Sequence, residues 1–147
     1  MSMLTLEMAK QAKENNSLMQ WAMDFMDNDK NKNLARILKE NKDIFLWIDL
    51  IEFPLNKLKR IMGPEKELLY PEEKEIWEKR INNLSNDIKN NNYKPCPLIV
   101  TDFWSDMNIA DGNHRHEALL RSGFNKYWVM FMIKDKKNID WVLNNLE

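Results

Sequence analysis

At 147 residues the chain has the length of one domain, and 44% hydrophobic content with six tryptophans excludes a disordered polymer. A formal charge of −1 supplies no basic excess for a dedicated nucleic-acid surface, although 22 Lys and Arg leave room for a local patch. A single cysteine, Cys96, permits no internal disulfide, no apolar run reaches membrane-spanning length, and no signal-peptide layout opens the chain; together these predict a soluble, cytoplasmic protein.

In chain order, Leu4, Met8 and Ala12 recur at helical spacing. Leu18, Trp21, Ala22 and Phe25 do so again after an Asn15-Asn16-Ser17 break, predicting one or two helices over 3–27. A polar loop over 28–33 leads to a short helix over 34–40 with Leu34, Ile37 and Leu38 inward. This Met-, Trp- and Phe-rich stripe has the makings of a partner groove, but core packing is its expected role. Residues 1–42 therefore read as a helical N-terminal extension, and 43–147 as the main domain.

Residues 44–53 are apolar and β-branched enough for a strand, ended by Pro54. Leu55, Leu58, Ile61 and Met62 have the spacing of a short helix stopped by Gly63-Pro64. A loop over 65–71 carries Glu65 and Glu67. A long amphipathic helix over 72–91 follows, with Ile76, Trp77, Ile81, Leu84 and Ile88 on one face. Arg80, Asn83 and Asp87 lie beside that face, as ordinary solvated positions do. Strands over 97–103 and 107–110 flank a Trp104-Ser105-Asp106 turn, another strand spans 127–133, and a helix over 139–146 closes the chain. This order indicates an α+β or α/β domain with a small mixed sheet.

The chemistry concentrates in 109–123, which holds both histidines and two of the three glycines. Ile109 and Ala110 end a strand, Asp111-Gly112 turns the chain, and 114–122 suits a helix whose C-terminal glycine is Gly123. A helix starting at such a turn presents unpaired N–H groups and a positive dipole end. Asn113, His114, Arg115 and His116 occupy that end, which predicts a phosphate cradle. The plainer reading makes Asp111 an N-cap and Arg115 a surface charge.

Three stretches together resemble the ParB/sulfiredoxin superfamily. They are Ile-Asp-Leu-Ile-Glu-Phe-Pro-Leu-Asn-Lys-Leu at 48–58, the helix-loop-strand over 81–100 with Leu84, Ile88, Asn92 and Pro97-Leu-Ile-Val100, and Asp-Gly-Asn-His-Arg-His-Glu-Ala from 111, followed by 127–133. The likeness spans 44–134 and leaves out the N-terminal extension. The whole chain, including Arg60-Ile-Met-Gly-Pro-Glu65, also looks like small bacterial proteins labelled ParB-domain or ParB-nuclease-like. The resemblance implies an α+β fold with a small mixed sheet, flanking helices and nucleotide binding. ParB proteins bind CTP, sulfiredoxins ATP, and the related free serine kinases ADP or ATP. By position it implies phosphate contacts from Gly112, Asn113, His114 and Arg115, with Arg80 and Asn83 on the preceding helix. Departures narrow it: Asn113 stands where sulfiredoxin needs its cysteine, so sulfinic-acid reduction is not expected. Too few residues follow 133 for the helix-turn-helix of a partition protein. The aspartate before Gly112 most resembles the free serine kinases.

The leading expectation is a nucleotide-binding phosphotransferase, such as a small-molecule kinase, or a nucleotide hydrolase that uses ATP, ADP or CTP with Mg²⁺. Asp111 would hold the metal or accept a proton, His114 would assist, and Glu65 or Glu52 would be a second carboxylate. The alternative is a non-catalytic nucleotide sensor or protein-interaction module that uses the N-terminal helices. A ParB-like nuclease ranks third, since no carboxylate cluster is evident and near-neutral charge predicts no DNA binding by the chain alone. A His114-x-His116 metal pair would need a strand, because on a helix the two side chains diverge.

Overall fold

Residues 127–133 run Tyr-Trp-Val-Met-Phe-Met-Ile without a polar break. A strand with one wet face would alternate; this one does not because both its faces are covered. In the computed structural model, which describes residues 4–28, 31–104 and 106–147, it becomes β6 (Lys126–Ile133). It lies inside a four-stranded sheet of order β1-β6-β4-β5, with β1 (Trp47–Pro54), β4 (Leu98–Thr101) and β5 (Asn108–Asp111). β6 runs antiparallel to β1, from Trp47↔Ile133 to Pro54↔Lys126, and parallel to β4; β5 closes the edge antiparallel to β4. The protein is thus α+β with a mixed sheet.

The two-residue period of the strands feeds two cores. Val129, Phe131 and Ile133 join Phe53, Leu98 and Val100 beneath α4 (Lys74–Asn90), α5 (Asn113–Arg121) and α6 (Lys136–Leu143). Met130 and Met132, with Leu50 and Ile99, face the other way. There they pack against α1 (Leu6–Glu14), α2 (Leu18–Asn28) and α3 (Lys32–Glu40). The Met-, Trp- and Phe-rich stripe is therefore core. Asn16, in the predicted break, takes φ 57°, a left-handed conformation that asparagine tolerates.

Several boundaries differ from expectation. Residues 55–62 do not form a helix: only Leu55–Lys57 makes a 3-10 turn, and the chain then extends into β2 (Met62–Gly63), which pairs in parallel with β3 (Tyr70–Pro71). The Asn113 side chain takes the N–H of Ile61, and the Lys59 carbonyl accepts from Ile109 N–H. Those bonds draw the segment along the β5 edge in place of internal helical pairing. Residues 42–44 form a 3-10 turn and β1 starts at Trp47. Helix α4 starts at Lys74, which leaves Glu72 ahead of it, and Ser85 rather than Ile76 fills its buried face. Residue 3 of the first predicted helix, 29–30 of the polar loop and Ser105 of the hairpin turn lie outside the described residues.

Helix α5 ends in a Schellman motif: Phe124 N–H donates to the Leu119 carbonyl, Gly123 N–H to that of Leu120, and Gly123 has φ 92°. It begins at Gly112, whose φ is 102°. A Cβ at Gly112 would stand 2.7 Å from Leu98 Cδ2 and 2.9 Å from an Arg115 guanidinium nitrogen, whereas one at Gly123 would meet open space. Gly112→Ala is expected to cost about 2–3 kcal/mol and Gly123→Ala about 1 kcal/mol, read from urea denaturation midpoints. Equal losses would show that the crowding at Gly112 carries no weight.

Candidate functional site

The motif's residues point in different directions. Gly112 swings the chain from the end of β5 into α5, and this geometry brings Arg115 back over Asp111. One Arg115 Nη2 donates to Asp111 Oδ2 at 3.2 Å and to the Pro97 carbonyl at 3.1 Å. The guanidinium also lies 5.4 Å from the Phe25 ring centre on α2. Asp111 Oδ1 accepts from Asn31 Nδ2 at 2.8 Å. Both carboxylate oxygens are thus engaged, and Arg115 faces the N-terminal helices. Among the described residues, no group of three His, Cys, Asp or Glu side chains is placed to hold a metal ion.

Asn113 is buried and its side chain works as a clamp. Its Oδ1 accepts from Ile61 N–H at 2.9 Å, and its Nδ2 donates to the Ile109 carbonyl at 3.2 Å. His116 is buried one turn further along the helix, where its Nε2–H donates to the Leu55 carbonyl at 2.7 Å. That bond fixes the tautomer and leaves Nδ1 buried without a partner. Burial holds this imidazole below the ordinary histidine range, against the opposing pull of the Leu55 carbonyl.

His114 behaves otherwise. Its ring lies 4.8 Å from that of Trp77, and its Nε2 is 3.0 Å from Glu72 Oε2. Glu72 is in turn 3.7 Å from Arg80 Nη1, and its Oε1 is buried without a hydrogen-bond partner. The other predicted residues scatter. Glu65 is held by Arg60, whose guanidinium grips both carboxylate oxygens and keeps the acid below the usual carboxylate range. Arg60 also lies 4.9 Å from the Trp77 ring centre. Asn83 is exposed on α4, and Glu52 is exposed on β1, at the sheet edge opposite β5.

The arrangement that remains is a carboxylate–imidazole pair beside the first turn of α5, with Arg80 next to it. Gly112 has no side chain with which to cap that turn, and no side-chain cap bond is made there. Sequence reasoning missed Glu72 and Trp77 as site residues. The position of Glu72 directly after Pro71 was the available signal: a carboxylate that precedes a helix is free to reach sideways. Trp77 gave none, because its spacing reads simply as core.

Comparison with known proteins gives a weak structural match. No family model matches the chain, and no curated protein does. Among solved structures, sulfiredoxin from Arabidopsis thaliana aligns over 65% of this chain and 97% of its own length, with 18% identity and a TM-score of 0.38. Among the described residues, no helix is long and apolar enough to cross a membrane.

His116 makes stability depend on pH. The unfolded imidazole takes up a proton near its ordinary value of about 6.5, while the folded one resists, so the unfolded state binds more protons and stability falls on acidification. Between pH 7.5 and 5.5 the protein should lose more stability than the His116→Asn variant does, measured by denaturant unfolding at both pH values. Parallel losses in the two proteins would remove His116 as the cause.

Proposed function

We propose that this chain is a binding domain for a phosphate-bearing small molecule, a nucleotide such as ATP, ADP or CTP, held at the start of α5 between His114 and Arg80. The observation that carries the reading is the first turn of a nine-residue helix without a side-chain cap, bearing an imidazole held against Glu72 and Trp77. Leading N–H groups and the helix dipole favour an anion there. The Arg80 guanidinium adds a charge-assisted donor, and the His114 ring adds a nitrogen beside it. Glu72 Oε1 faces Arg80 Nη1 at 3.7 Å without a hydrogen bond, a spacing that suits a bridging water or a ligand hydroxyl. Arg115 is not counted among the ligand contacts, because Asp111 and Pro97 already hold it.

A second reading, nucleotide hydrolysis or phosphotransfer, is favoured by the Glu72–His114 contact. A carboxylate on Nε2–H would orient the imidazole and leave Nδ1 as the proton acceptor, an arrangement suited to general-base work. Mg²⁺, where a nucleotide brings it, would supply charge neutralisation of the phosphates.

A thermal-shift panel of ATP, ADP, CTP and GTP, with and without Mg²⁺, tests the binding reading, since a ligand that prefers the native state raises the melting temperature. At least one nucleotide is expected to stabilise the protein. The His114→Ala and Arg80→Ala variants should each weaken it about tenfold or more. Unchanged affinity in the double variant would overturn the assignment. Glu72→Gln separates the two readings: lost turnover with retained affinity supports catalysis, and no turnover in the parent protein leaves binding alone.

A further inference from the structure

Above the edge strand β5 lies a cleft of about 490 Å³, within the size range of small-molecule sites. Its walls come from two places. Asn31, Asn33, Leu34 and Ile37 belong to the N-terminal extension, and the facing wall comes from the 61–70 loop and from β5. The charge of this lining is its distinguishing property. Asp, Glu, Lys and Arg make up 31% of the chain, yet among the described residues none of them, and neither histidine, lines the cleft. The nearest charges, Asp111 and Arg36, are already taken up by the Asn31 and Asn33 amides, so a charged ligand would lose hydration there for little return.

The polar groups of the lining are amides. Asn33 Oδ1 accepts from Arg36, which turns its Nδ2 donors outward. Asn31 and Asn108 each spend Nδ2 on the protein, on Asp111 and on the Asp106 carbonyl, so their carbonyl oxygens remain as acceptors. Donors and acceptors therefore sit on one cleft whose other surfaces are aliphatic and aromatic. Two large rings stand at its mouth: Trp104 is 53% exposed and Tyr70 is 54% exposed. Trp104 is not loose, because Phe103 braces it edge-on at 5.1 Å. A flat ligand would cover these faces and remove apolar area from water.

We infer that the cleft binds an uncharged, planar ring that carries amide-type N–H and C=O groups, the chemistry of a nucleobase or of a carboxamide-bearing ring. This site stands apart from the phosphate reading, since none of His114, Glu72 or Arg80 lines it. The extension supplies two of the four asparagines that line it, so the ligand is read by the two parts of the chain together.

Isothermal titration of the full chain with adenine, cytosine, uracil, their nucleosides and nicotinamide tests this without any phosphate present. One of the two classes is expected to bind, the nucleobase and nicotinamide arms telling them apart. Trp104→Ala should weaken that binding about tenfold or more, as loss of a stacked ring does. Asn33→Asp and Asn33→Lys, at an exposed position that leaves folding intact, should both weaken it, because either charge is unmatched by a neutral ligand. His114→Ala should leave it unchanged, which separates this result from the fate of the phosphate site. Absence of binding by every probe at millimolar concentration, unchanged affinity in Trp104→Ala, or opposite effects of the two Asn33 variants would each overturn the inference.

Discussion

The ion pair of Asp111 and Arg115, closed across Gly112, is the constraint on which the rest of the structure depends. It gathers the end of the edge strand, the first turn of α5, the Pro97 carbonyl ahead of β4, and, through Asn31 and Phe25, the N-terminal helices. Both side chains are mostly buried. A pair of this kind adds little over an apolar pair of the same shape, but removing one member strands the other's charge at several kcal/mol. The glycine between them follows from the same geometry, since a Cβ there would meet both Leu98 and the guanidinium.

That constraint reshapes what a His-Arg-His motif at a helix start can do. Three of its polar side chains face inward: Arg115 to the sheet edge, Asn113 to the 61–62 backbone and His116 to the Leu55 carbonyl. Each satisfies a group that would otherwise be buried without a partner, which is worth more than an exposed surface contact. Only His114 turns toward α4, where Trp77 carries it on one side and Arg60 on another. The aromatic ring thus fixes an imidazole and a guanidinium at once. Preorganisation of this sort lowers the ordering cost of any ligand that uses them.

Much of the architecture was legible because it follows from period and punctuation. The unbroken apolar run at 127–133 signals a strand, Gly123 a helix end, and Asn15-Asn16-Ser17 a break in the first helical stretch. Residues 55–62 were not legible, since their helical spacing is overridden by partners far along the chain at Asn113 and Ile109. The site was legible only as a location. Residue type placed Asn113 and Arg115 at the helix start, but whether a side chain faces solvent or core depends on neighbours such as Phe25 and Pro97. No local pattern encodes those. Glu72 shows the converse, a plain loop carboxylate given a role by a histidine 42 positions away.

The extension is likewise more than an appendage, for a reason already present in the sheet. Leu50, Ile99, Met130 and Met132 form one face of the strands, and that face is fully buried only because α1–α3 lie on it. A sheet apolar on both sides must be covered on both. The helices that meet this requirement also bring Asn31 to Asp111 and Asn33 to the cleft. A change that loosens α3 from the sheet would then act on the core, on the charge balance at Asp111 and on the amide-lined wall together. Burial of the sheet and the shape of the cleft are coupled here because α3 serves both.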